Sequence, residues 1–256
     1  MRKKKNKGKN IKIIFNLIVY IILLLILIYS GIKIFEWHRD KTNNNEIVEQ
    51  IKEAVIIQNQ DNSQEDEDNY TIDFNKLKEQ NNDLVAWINV PNTNIEYPVV
   101  KTKNNSFYLN HSFDKSNNLA GWIFADYKNK FDGTDKNIVI YGHNMRDGSM
   151  FGNLKNILNS DWYNNEENLN ITFNTENENC IYKVFSVYKI ESEDYYIKTN
   201  FKNDNEFEKF INTIKGRSIK DFGIDVSKDD TVLTLSTCAN NNKYRVVLHA
   251  KKEESL

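Results

Sequence analysis

The apolar positions fall into three regimes along the chain. From Ile13 to Ile32 no charged residue interrupts the run, and Asn16 and Ser30 are its main polar breaks. About 20 residues at about 1.5 Å each span roughly 30 Å, the thickness of a bilayer core, so a transmembrane helix is predicted, with an anchor over 13–35. The run ends Tyr29-Ser30-Gly31-Ile32-Lys33 without a small-residue cleavage site, which favours an uncleaved anchor over a signal peptide. Next, Ile47, Val48, Ile51, Val55 and Ile56 recur at helical spacing and predict a helix over 46–58. The stretch 59–69 is polar and acidic, with nothing to build a core, and reads as a flexible linker that completes a stalk over 36–70. From residue 71 the rhythm changes to short apolar runs between turn residues. Asp73 is placed to cap a short helix running to Gln80. Runs at 86–90, 95–100, 121–125, 137–141, 169–174, 181–190, 231–237 and 244–250 are rich in Val, Ile, Tyr, Phe and Thr and read as strands. Helical insertions are expected at 150–158 and at 204–215, where Phe207, Phe210, Ile211 and Ile214 share one face. Eight strands with few helices predict a mostly β domain over 71–256, a closed or nearly closed barrel.

Charge adds an orientation. The chain of 256 residues has a formal net charge of −2, but Arg2, Lys3, Lys4, Lys5, Lys7, Lys9 and Lys12 precede the apolar run with no acid among them. A basic flank predicts that 1–12 lie in the cytoplasm and that everything after the span is extracellular. The remaining body is acidic and carries no basic footprint for nucleic acid. Cys180 and Cys238 are the only cysteines, which excludes a disulfide framework and a clustered zinc site. A single bridge between the two is compatible with the sequence.

Cys238 closes the segment Thr-Leu-Ser-Thr-Cys after an apolar strand, with a polar turn at 240–243 behind it, so its thiol belongs at the mouth of the barrel. A cysteine near a strand is ordinarily a small buried hydrophobe. Two partners change that reading. His143 follows the strand at 137–141 in Tyr-Gly-His-Asn, and Arg245 opens the otherwise apolar strand at 244–250. A free thiol with a pKa near 8.5 is only a few per cent thiolate at neutral pH, and a neighbouring cation raises that fraction. An imidazolium can protonate a leaving amine and then accept a proton from an incoming one, while a guanidinium can hold an oxyanion. The three are expected to converge at one end of the barrel. His38 in the stalk, His111 in a polar loop and His249 at the end of the last strand read as structural or surface residues.

With Thr-Leu-Ser-Thr-Cys at 234–238, Tyr-Gly-His-Asn at 141–144 and Arg245 in the next strand, the sequence resembles the sortases, class B in particular. Asp83-Leu-Val-Ala-Trp-Ile-Asn-Val, Asn105-Ser-Phe-Tyr-Leu-Asn and Gly148-Ser-Met-Phe-Gly-Asn-Leu extend the resemblance across 73–251. The resemblance implies an eight-stranded sortase barrel with N-terminal helices and a helix in the long connection between its sixth and seventh strands. It implies that Cys238 attacks the Thr carbonyl of a C-terminal sorting signal (Asn-Pro-x-Thr-Asn-like or Pro-x-Thr-Gly-like) on a surface protein. His143 then acts as acid and base, and Arg245 holds the oxyanion or positions the signal. The acyl group passes to an amine of the cell-wall peptide, with no metal or organic cofactor. Asn105, Leu109, Tyr141 and Ser236 match groove-lining positions, and Tyr196 and Ile197 in the long connection join them. Three other readings stay open on the sequence: a pilin-polymerising or other-class sortase, a secreted cysteine protease, and an anchored binding module without catalysis. The first is disfavoured because the chain ends Lys-Lys-Glu-Glu-Ser-Leu directly after the last strand, with no second apolar span.

Overall fold

The computed structural model describes residues 4–52, 55–57, 70–238 and 243–253. It divides into two units, Met1–Asn45 and Glu46–Leu256. The first consists of most of helix α1, Lys4–Lys52. Its apolar side chains are exposed on every side from Ile11 to Phe35, and the part Asn10–Ile51 is long and apolar enough to cross a membrane. The apolar run and the first part of the helical stripe expected over 46–58 therefore belong to the same helix. The final turns belong to the second unit, where Ile47 and Ile51 are buried in its core. The helix expected over 46–58 stops at Lys52. Three consecutive β-branched residues follow it, and Val55–Ile57 forms strand β1, antiparallel to β2, Tyr70–Ile72. The linker at 59–69 lies outside the described residues.

Eight further strands close a barrel: β3 Leu84–Val90, β4 Ile95–Val100, β5 Phe124–Ala125, β6 Asn137–His143, β7 Asn170–Asn174, β8 Asn179–Glu191, β9 Val232–Cys238 and β10 Tyr244–Lys252. Their order round the barrel is β10-β8-β7-β3-β4-β5-β6-β9, and β9 returns to β10. The pairs β4–β5 and β6–β9 are parallel and the others antiparallel. Helix α2, Phe74–Gln80, begins where expected, with the Asp73 carboxylate accepting the Lys76 amide at 3.0 Å.

Two further elements differ from expectation. The strand at 121–125 shrinks to Phe124–Ala125. Gly121 takes a φ of +60°, and the Trp122 amide donates to the Tyr108 carbonyl at 2.9 Å rather than to a neighbouring strand. The insertion at 150–158 is not one helix. Met150 has a φ of +52°, which an α-helix excludes, and only Leu154–Leu158 coils, as a 3-10 turn ahead of the short helix α3, Ser160–Tyr163.

Helix α4, Asp204–Gly216, lies in the long connection between the sixth and seventh barrel strands, β8 and β9. Asn203 caps it by accepting the Glu206 amide at 3.0 Å, and Asp204 and Glu206 complement its N-terminal dipole. Its buried face, Phe207, Phe210, Ile211 and Ile214, packs with Phe185, Tyr188, Val232 and Val247 into a cluster separate from the larger core. Each such side chain contributes about 1.5–3 kcal/mol. Strands β8 and β10 are buried on both faces over 184–188 and 246–250, so the burial of these stretches does not alternate.

Candidate active site

The parallel pair β6–β9 builds the site. Its register runs without a shift from Asn137 opposite Val232 to His143 opposite Cys238. Two residues 95 positions apart in sequence thus end adjacent strands at the same rim of the barrel; for Cys238 the backbone alone is described. On the other side of β9, the ladder to β10 runs only as far as Val247 opposite Ser236. Beyond it the Val246 amide turns to the Thr237 hydroxyl at 3.0 Å. The two strands separate there, and Arg245 stands at the opening.

His143 is 7% exposed. Its Nε2 is 2.7 Å from the Leu109 carbonyl, an acceptor only, so Nε2 carries the proton of the neutral ring and Nδ1 keeps its lone pair. Among the described residues, Nδ1 has no hydrogen-bond partner. Burial pulls the pKa below the ordinary imidazole value, and the bond to Leu109 opposes part of that pull. In the neutral ring, Nδ1 is the nitrogen that can accept a proton. Arg245 is half-buried, and its Nη1, also buried, is likewise without a partner among the described residues. An unpaired buried donor is costly, and an incoming acceptor removes that cost.

A cleft of about 700 Å³ lies at this rim. It is lined by Asn105, Leu109, Tyr141, His143, Tyr196, Ile197, Ser236 and Arg245, so every residue named from sequence other than Cys238 borders one space. Phe124, Ser192, Glu193, Asp194 and Thr237 complete the lining. The Tyr196 wall is fixed from below. Its hydroxyl is 3.0 Å from that of Ser236, and the Asn137 amide nitrogen donates to the carbonyls of Tyr196 and Lys198 at 3.3 and 2.9 Å. Under this wall Thr234 donates to Asn137 at 2.6 Å, so it accepts from His249 Nδ1 at 2.8 Å, and His249 Nε2 accepts from Tyr188 at 2.8 Å. This network requires a neutral His249, and complete burial lowers its pKa to about 3. His249 is thus a structural residue. His111 stacks on Phe107 with ring centroids 4.0 Å apart, and His38 lies in α1; neither borders the cleft. Cys180 is the second residue of β8, opposite Phe173, and is 3% exposed, away from the cleft lining.

Gly121 holds the His143 side of the cleft. A Cβ there would come within 2.4 Å of the Tyr108 carbonyl oxygen, 2.9 Å of that of Leu109 and 3.0 Å of His143 Cδ2, at a φ of +60°. Gly121→Ala is expected to destabilise the fold by more than about 1 kcal/mol, read as a lower thermal midpoint, and to displace the Leu109 carbonyl from His143.

One buried acid was not legible. Asp126, 4% exposed, stands behind the cleft and accepts from the Asn105 side-chain amide at 2.8 Å and the Tyr141 hydroxyl at 2.9 Å. In sequence it is a lone aspartate at a strand end, the pattern of an ordinary turn residue.

Known proteins agree with this architecture. The Sortase domain family matches residues 88–253. The chain is 37% identical to sortase B of Listeria monocytogenes over 180 residues, 68% of this chain and 72% of that protein. It is 31% identical to sortase B of Staphylococcus aureus over 240 residues, 91% of this chain and 95% of that protein. Among solved structures, the Staphylococcus aureus sortase B–substrate complex superposes with a TM-score of 0.71 at 28% identity, covering 86% of this chain and 99% of that one. The closed mixed barrel, the family match over most of the chain and relatives of nearly equal length lead to one assignment: this chain is a class B member of the sortase family of transpeptidases.

Proposed function

We propose that this sortase is a membrane-anchored transpeptidase that cleaves a C-terminal sorting signal after its Thr and transfers the protein to an amine of the cell-wall peptide. The observation that carries the reading is the β6–β9 register, in which Cys238 and His143 end adjacent strands whose backbones are about 4.8 Å apart. The Cys238 thiol passes its proton to His143 Nδ1 as its sulfur attacks the Thr carbonyl carbon, and Arg245 Nη1 donates to the oxyanion. Collapse of the tetrahedral intermediate breaks the C–N bond, and the imidazolium of His143 delivers the proton to the leaving amine. The thioester is then attacked by the cell-wall amine, His143 takes up the amine's proton, and the thiolate departs. Asn105, Leu109, Tyr141, Ser236, Tyr196 and Ile197 line the groove for the signal, an Asn-Pro-x-Thr-Asn-like or Pro-x-Thr-Gly-like peptide. Helix α1 anchors the enzyme. The lysine-rich flank before the apolar run favours a cytoplasmic N-terminus and an extracellular barrel.

The experiment is a partition assay. The full chain in detergent is given an Asn-Pro-Ala-Thr-Asn peptide with rising concentrations of a small amine. The amide product is expected to grow with amine at the expense of the free acid. A product ratio that ignores the amine, with the free acid alone formed, identifies a protease and overturns the transferase reading.

A further inference from the structure

We propose that Asp126 is a positioning residue that sets the signal-reading wall of the cleft, by fixing the Asn105 amide and the Tyr141 phenol from behind. The inference rests on the transpeptidase reading above. The side chain lies in the turn after β5, outside the cleft lining, and is buried. Its backbone is tied at both ends, with the amide donating to Val139 at 2.8 Å and the carbonyl accepting from Asn129 at 3.0 Å. Oδ1 accepts the Lys128 amide at 2.9 Å. Oδ2 is thereby aimed at the cleft wall, where it accepts both from Asn105 Nδ2 and from the Tyr141 hydroxyl.

The consequence is a fixed polarity. Asn105 Oδ1 accepts the Tyr127 amide at 2.9 Å while Nδ2 donates to Asp126, so the side-chain amide cannot flip without facing donor to donor and acceptor to acceptor. Among the described residues one N–H of Nδ2 remains without a partner, and Asn105 therefore offers the signal a donor. Tyr141 has spent its only proton on Asp126, so toward a ligand its oxygen can only accept. A neighbouring donor and acceptor match a peptide or carboxamide group, which carries one of each. Hydrogen bonds to a carboxylate are the stronger kind, and two that share one buried oxygen hold two cleft residues in one geometry. A neutral residue cannot do the same: in Asp126→Asn, either the Lys128 amide or the Asn105–Tyr141 pair meets an NH₂ group.

Asp126→Asn, which keeps the side chain's shape, is the informative variant, with Asp126→Ala beside it. In the full chain with the Asn-Pro-Ala-Thr-Asn peptide, KM is expected to rise by about tenfold or more and kcat to stay within about threefold, the signature of lost ground-state binding. The alkylation rate of Cys238 by iodoacetamide, mapped by peptide mass, is expected to be unchanged. The peptide concentration that half-protects Cys238 from alkylation is expected to rise by the same factor as KM. In an Asn105→Ala, Tyr141→Phe background, adding Asp126→Asn is expected to change KM little, which a general structural role would not produce. Unchanged KM and half-protection overturn the proposal. So does a parallel fall in kcat and alkylation rate, which would place Asp126 in support of the reactive pair or the fold. A parent that is protected by the peptide without turning it over overturns the transpeptidase reading, while the protection series still reads the wall. A parent neither protected nor active overturns both.

Discussion

Replacing Cys238 with alanine is expected to lower turnover of a sorting-signal peptide by about four orders of magnitude or more, with peptide affinity retained. The size of the effect follows from the mechanism. Acyl transfer through a covalent intermediate has no alternative route when the nucleophile is removed, and what survives is the modest catalysis from oxyanion donors and binding alone. Affinity is kept because the residues lining the cleft do not change. Cys180→Ser provides the control. That residue is buried at the start of β8, off the cleft, and its replacement is expected to leave turnover intact. Loss of all activity in a folded Cys180→Ser protein would contradict the assignment of the nucleophile.

His143→Gln is expected to cost about three orders of magnitude in kcat/KM and to change the shape of the pH profile. Glutamine retains a donor for the Leu109 carbonyl but supplies no base in place of Nδ1. In the parent, burial lowers the His143 pKa, so the acid limb of kcat/KM is expected at a midpoint below about 6.5, the ordinary imidazole value. The same shift has a stability consequence. A histidine held neutral in the fold contributes stability above its unfolded pKa and loses it as pH falls toward the folded value, because the unfolded chain takes up the proton first. For His249, lowered to about 3, that window runs from about 6.5 downward. Rate measurements on the acid limb must therefore be paired with a check that the protein is folded. An acid limb that persists unchanged in His143→Gln would assign it to another group.

The periodic elements were legible because their signals are local. The stripe of Phe207, Phe210, Ile211 and Ile214 gave helix α4, Asp73 gave the cap of α2, and the β-branched and aromatic runs gave the barrel strands. What failed depended on single backbone conformations or on distant partners. The positive φ of Gly121 and Met150 cut one expected strand to two residues and broke one expected helix. The helical spacing extends past Lys52 because Val55 and Ile56 fit it, yet both lie in β1. The pairing of β1 with β2, across the intervening linker, was not visible from either segment alone. At the site, residue types and motifs selected Cys238, His143 and Arg245, but no local pattern contains the register that sets His143 opposite Cys238. Asp126 is not legible for the same reason. Its partners, Asn105 and Tyr141, lie 21 and 15 positions away, and its burial is a property of the closed barrel.

The central claim is that Cys238 carries the acyl group. Intact mass of the full-length enzyme, quenched during turnover of a sorting-signal peptide without added amine, followed by peptide mapping, measures it directly. The account predicts an adduct equal in mass to the signal up to its Thr, mapped to Cys238, absent in Cys238→Ala and discharged when amine is added. An adduct mapped to Cys180, or steady turnover in Cys238→Ala, would contradict it.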